Sequence, residues 1–417
     1  MTEVKKIAFI LPVLLLFGQP QFQHYFLHKY PLHRRTLGLY TYADLGSNSI
    51  NTKFFNHFFT GQYISDALKN SVRNRLNNNN NRFGFDWTTE ISYLNMHDSV
   101  LGKNWGYYFG LKNRVTGEGG FTQNAFELPF YGNSMFQGKT ANLSGTQARF
   151  LMYQQFQIGF VKTWKKSDPI ILGFALSYLN GNNFSELNFR KLDVYTDSLS
   201  EYISIDGSGF LYRNDPNYNY FMANNGSGLS VDVNFQQQFN HGFFSCQLQD
   251  LGFLSWERPG EQITYDTLYQ FNGITINNIF TTDGSEFSNF IDSLNTNVLR
   301  QSSSRPGTMM LPSRFHVAYT HFLLQGKIVL QASLMARLSL FYFPMLNIQG
   351  IFYPHPRIML GTSFGFGGYG TYQFGLNFGV DFGKGYILSV QTQNVEGIIP
   401  NTFATGLSAG IRFYRTF

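Results

Sequence analysis

Arg82, Asp86 and Glu90 follow one another at intervals of four residues, and Lys112 and Arg114 stand two residues apart. Asp232, Arg314, His316, Arg337, Asp381 and Arg412 follow, each flanked by apolar or small residues. An isolated charge in such surroundings does one of two things: it pairs with an opposite charge on a shared wet face, or it lines a filter that sorts ions. Arg82, Lys112, Arg114, Arg314, Arg337 and Arg412 outnumber Asp86, Glu90, Asp232 and Asp381, so a filter built from them would favour anions. A charge-pairing network is the commoner outcome for a mixed set, and Glu90, Arg114 and Arg314 are the first positions to mutate.

Other chemistries lack their residues. Gly365-Phe-Gly-Gly-Tyr-Gly370 has the glycines of a phosphate loop but no Lys-Ser/Thr and no following helix, so it reads as a tight turn. His24, His28 and His33 cluster only near the start of the chain. His316 and His321 flank a strand, no HExxH occurs, and Cys246 is the single cysteine, so neither a zinc site nor an internal disulfide is expected. Asp98 and Asp283-Gly284 lack the oxygen spacing of a calcium loop. No outward Ser–His pair stands ready for hydrolysis, so no enzyme and no cofactor is expected. A net charge of +6 without a basic block gives no nucleic-acid partner.

The elements that position those charges alternate with period two. Ile328, Leu330, Ala332, Leu334, Ala336 and Leu338 interleave with Gln331, Ser333 and Arg337. Tyr372, Phe374, Leu376, Phe378, Val380 and Phe382 interleave with Gln373, Asn377 and Asp381. The same holds for Leu229–Phe235 against Asp232 and Asn234, and for Phe83–Tyr93 against Arg82, Asp86 and Glu90. A helix would spread these charges over every side, whereas a strand puts them on one face. Only 13% of the 417 residues are charged while 18% are aromatic, short of what a water-facing surface needs. Mean hydropathy is −0.18, and past residue 17 no apolar run is long enough for a spanning helix. These features predict an all-β fold: a transmembrane antiparallel β-barrel of about 14–16 strands, the closed alternative to helices in lipid.

Further strands are predicted near 35–43, 105–115, 148–164, 170–179, 184–196, 200–212, 243–256, 314–323, 341–353, 357–366 and 386–394, with 35–43 and 184–212 the weakest. Short turns at Lys165–Pro169, Asn240–Gly242, Leu324–Gly326, His355–Pro356 and Gly383–Gly385 alternate with long loops at 116–147, 213–227 and 257–313. Ile64, Ala67, Leu68, Val72 and Leu76 form one helical stripe; Phe287, Phe290, Ile291, Leu294 and Val298 form another in the longest loop. Lys5 and Lys6 before Ile7–Phe17 predict an exported chain with a signal peptide over residues 1–18, leaving 19–417 as the barrel.

The last strand, Thr405–Phe417, sets Leu407, Ala409, Ile411 and Phe413 against Ser408, Gly410 and Arg412, and Arg415 interrupts the apolar row. Its terminal Phe417 resembles the signal that outer-membrane barrels present to the barrel-assembly machinery. Gly226-Ser-Gly-Leu-Ser-Val-Asp232, Asp250-Leu-Gly-Phe-Leu-Ser-Trp256 and Leu311-Pro-Ser-Arg314 resemble segments of FadL-like and PorV-like outer-membrane barrels of Bacteroidota. The resemblance covers about residues 35–417 and implies an outer-membrane location, a lipid surround, and one of two roles. One is a channel or transporter for a small, hydrophobic solute; the other is a barrel that holds a secretion-system protein on its long loops. An open pore would favour the first and a closed lumen the second.

Overall fold

The computed structural model describes residues 35–96, 102, 104–164, 168–214, 222–272, 300–304 and 307–417. The signal peptide, the stripe from Phe287 to Val298, Asp98 and Asp283-Gly284 lie outside the described residues.

Fourteen strands form the wall. They are β1 (Arg35–Ser47), β2 (Asn81–Asn95), β3 (Trp105–Phe121), β4 (Gln147–Trp164), β5 (Ile170–Thr196), β6 (Gly226–Phe239) and β7 (Gly242–Trp256). The second half is β8 (Arg314–Leu323), β9 (Ile328–Arg337), β10 (Phe343–His355), β11 (Ile358–Gly368), β12 (Tyr372–Gly383), β13 (Tyr386–Thr392) and β14 (Gly406–Thr416). Each pairs antiparallel with the next. Pairing of Thr36 with Thr416 through Gly46 with Gly406 closes the ring, so the wall has no open edge.

The wall is apolar outside and polar inside, the reverse of a soluble protein. On β12, Phe374 and Phe378 are 46% and 48% exposed, while the interleaved Gln373 and Asn377 are 6% and 7% exposed. Leu172, Phe174 and Leu176 of β5 are likewise exposed, with Ser177 wholly buried. Burial of that sense is stable only where the outer face meets lipid. Among the described residues no helix is long and apolar enough to cross a membrane; the strands cross it.

The two rims differ. Both ends of the wall, Arg35 and Thr416, lie on a rim of short turns such as Asn240–His241 and Lys384–Gly385; the other rim carries the long loops. Among the described residues three α-helices sit there: α1 (Thr52–Thr60), α2 (Asp66–Arg73) and α3 (Gln123–Tyr131). Each starts at a side-chain cap, Asn51, Ser65 or Thr122, accepting a backbone N–H. Phe54, Leu68, Val72 and Phe126 bury their apolar faces against one another. The predicted stripe from Ile64 to Leu76 is α2; α1 and α3 were not expected from the pattern. Aromatic pairs in α1 and Pro129 inside α3 break the helical signature.

Two predicted strands, 170–179 and 184–196, are one strand of 27 residues, β5. Its distal part leaves the ring, and Ile203–Asn214 pairs with it from Ser185 to Thr196. Gly260–Phe271 then pairs with Ile203–Asn214, raising a flap beyond the wall. The weak expectation at 35–43 is a full wall strand.

Candidate functional site

Three guanidiniums converge on the carboxylate of Asp86 in β2. Arg337 Nη1 of β9 donates at 3.0 Å, Arg314 of β8 donates to the same oxygen, and Arg114 Nη2 of β3 stands 3.7 Å away. The ring order places β9 seven strands from β2, directly opposite in a ring of fourteen. The Asp86–Arg337 contact is therefore a strut across the lumen.

The network continues towards β6 and β7. Arg114 Nη1 donates to Asp250 Oδ2 at 2.7 Å, and Gln155 Nε2 donates to Asp250 Oδ1 at 2.8 Å. The Asp250 N–H donates to Asp232 Oδ1 at 2.7 Å. Asp232 Oδ2 accepts from Lys112 Nζ at 3.2 Å and from Gln157 Nε2 at 2.8 Å. Lys112 also stands 3.8 Å from Glu90, which accepts from the Tyr108 hydroxyl at 2.7 Å. Lys112, Arg114, Arg314 and Arg337 thus face Asp86, Glu90, Asp232 and Asp250, four cations against four carboxylates, all 9% exposed or less. Buried ions lose several kcal/mol of hydration each, so charges at this depth persist only as a matched set.

Asp250 is absent from the sequence-derived set for a local reason. Inward residues on β7 run Phe243, Ser245 and Gln247, then change parity to Asp250, Leu254 and Trp256. The change is a bulge: Val231 pairs with Leu251 but Val233 pairs with Leu248, and Asp250 takes a positive φ of 58°. Strict alternation would turn Asp250 outward. Its place in the Asp-Leu-Gly-Phe-Leu-Ser-Trp segment was the one available signal. The three segments quoted for the resemblance meet here, since Asp232 binds the Asp250 N–H and Ser313 Oγ donates to the Asp250 carbonyl at 2.9 Å, with Arg314 adjacent.

Two short loops close the long-loop end above the network. Phe341, from the connection between β9 and β10, lies on Gly120 of β3, where an added Cβ would meet its ring at 2.2 Å. Tyr369, from the turn after β11, lies on Gly84 of β2 with the same clearance. These glycines serve the close approach of the rings. Ser339 donates to Glu118, and the Tyr369 hydroxyl reaches the same carboxylate at 3.3 Å. Arg82 belongs to this closure and not to the network: it donates to the carbonyls of Tyr369 and Gly370 at 3.1 and 2.9 Å and stacks over Phe343 at 4.1 Å. Towards the short-turn end, Val329, Ile351, Tyr353, Met359 and Ile387 pack together inside the wall.

The other predicted residues are separate. His316 is buried on β8, and its Nε2 has no partner among the described residues. Asp381 accepts the Gly383 N–H at 2.8 Å near the short-turn rim. Arg412 is buried over the ring of Tyr40 at 4.9 Å. Phe417 lies past β14, half exposed, its N–H donating to the Arg35 carbonyl at 2.9 Å. The Gly365–Gly370 segment is the end of β11 and its turn, with positive φ at Gly367 and Gly368. Among the described residues, no three His, Cys, Asp or Glu side chains stand together as metal ligands.

A second interior population is uncharged. Gln331, Ser333, Gln349, Gln373 and Gln391 line the inner face of β9, β10, β12 and β13 at 8% exposure or less. Both amide atoms of Gln349, the hydroxyl of Ser333, Oε1 of Gln331 and Gln373, and Nε2 of Gln391 have no hydrogen-bond partner among the described residues.

A family model matches residues 37–388; it describes a family of unknown function, DUF5723. No curated protein matches the chain. Solved structures similar in outline include the toluene transporter TodX of Pseudomonas putida, at 9% identity and TM-score 0.39, covering 96% of this chain and 93% of that one. The toluene transporter TbuX of Ralstonia pickettii matches at 10% identity and TM-score 0.44, covering 92% and 90%. A FadL homologue of Pseudomonas aeruginosa matches at 9% and 0.39, covering 92% and 89%. The fold assignment rests on the strand register described above.

Proposed function

We propose that this chain, which belongs to the DUF5723 family, is a bacterial outer-membrane barrel that passes small hydrophobic solutes. Its lumen is held shut in this conformation by the Asp86 struts and the Phe341–Tyr369 closure. One observation carries the reading: the unpartnered amides and hydroxyl of Gln331, Ser333, Gln349, Gln373 and Gln391 on the inner wall. A permanently dry core leaves few buried polar groups unmatched, because each costs about 1–3 kcal/mol. An inner face that takes up water and solute in an open state keeps them.

The solute class follows from the long-loop end of β4–β7. There Leu151, Tyr153, Phe184, Tyr212, Trp256 and Leu311 form an aromatic-rich cluster inside the wall. Beside it a small pocket is lined by Thr116, Glu118, Arg149, Leu151, Met309 and Pro312. In this conformation the pocket has room for about one water molecule, so the aromatic cluster carries the solute class: an apolar lining suits a small hydrophobic molecule better than a sugar or an ion. With both wall ends on the short-turn rim, that rim faces the periplasm and the pocket faces outside. Liposomes carrying the barrel should admit an aromatic hydrocarbon faster than empty ones, and Asp86→Asn should raise both that rate and the single-channel conductance. Wild type and variant that are equally impermeable would sink the reading.

The closed lumen favours a second role, a scaffold that holds a secretion-system protein on its loops. The flap of β5, Ile203–Asn214 and Gly260–Phe271 would be the surface for it. A stoichiometric partner cross-linked through that flap, together with an impermeable Asp86→Asn barrel, is the result that would establish it.

A further inference from the structure

The cations of the two rims are treated differently. On the long-loop rim several are matched, Lys69 with Asp66 at 3.0 Å, Arg73 with Glu127 at 2.6 Å, Lys191 with Asp206 at 2.6 Å, and Arg213 with Glu261, although Lys53 and Lys139 reach no carboxylate among the described residues. On the short-turn rim, Arg35, Lys327, Arg357, Lys384 and Arg415 are all exposed, and none reaches a carboxylate among the described residues. They occupy one continuous half of the rim: the β8–β9, β10–β11 and β12–β13 turns, the end of β14 and the start of β1, which pairs with β14.

Arg415 among them stands beside outward aromatic rings. The Arg415 guanidinium lies 5.0 Å from the Tyr386 ring and 4.7 Å from the Phe417 ring. Lys162, near the same rim, lies 4.7 Å over Trp105. Outward Phe352, Phe382 and Phe413 continue the aromatic band. Aromatic rings of this kind settle at the boundary between acyl chains and headgroups. Cations just beyond that band are therefore at the depth of lipid phosphates. A carboxylate-poor arc of exposed cations at that depth is complementary to negatively charged headgroups.

We propose that the short-turn rim is a binding belt for anionic phospholipid, with phosphatidylglycerol-type headgroups bridging Arg35, Lys327, Arg357, Lys384 and Arg415. The belt ties the barrel to one leaflet and fixes its height in the bilayer. This inference rests on the transmembrane reading and is independent of solute passage: a barrel that conducts nothing would still show it.

The test compares the full chain in nanodiscs of phosphatidylcholine alone with nanodiscs containing about one-third phosphatidylglycerol, reading lipids retained in native mass spectrometry and the unfolding temperature. Wild type should retain phosphatidylglycerol preferentially and unfold at a higher temperature in the mixed discs, with both effects shrinking in high salt. Each Gln substitution among the five should weaken phosphatidylglycerol retention by up to about fivefold. The fivefold Gln variant should match wild type in phosphatidylcholine and lose the preference. A variant exchanging Arg for Lys and Lys for Arg at the five positions should keep it. Equal retention of both lipids by wild type would overturn the proposal. So would an undiminished preference in the fivefold Gln variant, or an equal loss on neutralising Lys53 and Arg75 of the opposite rim. Capture of an acidic protein by a rim that shows no lipid preference would overturn it as well.

Discussion

The inner wall is two surfaces with different logic. From β2 and β3 across to β6–β9, charges are matched so closely that every carboxylate of the network has a named donor or cation, and opposite walls are tied together. From β9 through β13 the same inward register is mainly uncharged Gln, Ser and Asn. Among the described residues both surfaces keep unpartnered polar atoms, Arg114 Nε and Arg337 Nε on the first and both amide atoms of Gln349 on the second, so the difference between them is the charge pairing. The first surface is built to hold one arrangement. The second is mainly amide and hydroxyl and ties no wall to its opposite by a named ion pair. A barrel that were only a plug would not need the second, and one that were always open would not keep the first at such electrostatic cost.

That contrast breaks first at Asp86. Asp86→Asn leaves three guanidiniums around a neutral amide, and losing one member of a buried ionic set costs about 3–5 kcal/mol. The urea midpoint should fall accordingly while conductance rises; a fall in stability with no conductance would separate the strut from any gate. Replacing Arg337 by Met in that background should recover part of the lost stability, because it removes an unmatched buried charge.

A smaller effect is expected at the closure. Gly84→Ala places a methyl against the Tyr369 ring, and overpacking of this kind costs about 1–3 kcal/mol. Phe341→Ala vacates Gly120 without strain. Both should lengthen open times in single-channel records with the ionic network intact, and unchanged records would assign closure to Asp86 alone.

The smallest effect carries the opposite sign. Gln349→Met removes two unpartnered amide atoms and should be neutral or stabilising by about 1 kcal/mol in urea unfolding. If it destabilises the barrel as strongly as Asp86→Asn does, the amide surface is structural and the contrast collapses.

Much of the wall could be read from period-two alternation, because each inward polar residue is bracketed by outward apolar ones. Arg114, Asp232, Arg314 and Arg337 were found that way. Which of these charges pair with one another was not legible, since Asp86 and Arg337 are 251 residues apart and only ring closure sets them face to face. Asp250 was hidden by a bulge that resets parity, and α1 by aromatic pairs that mask its helical face. Strand β5 was divided in two because its stretch around Gly181–Asn183 reads as a turn, although the wall absorbs Asn182 as an extra residue there.

Strand β5 has a consequence for what meets this molecule first. Its 27 residues at about 3.3 Å each extend roughly 90 Å, whereas a bilayer takes up only about 9–11 residues of a tilted strand. More than half of it lies outside the hydrocarbon core, and its far end, stiffened by its neighbours, stands clear of the wall like a mast. Anything bulky that approaches the long-loop rim brushes that mast well before it can reach the mouth beneath.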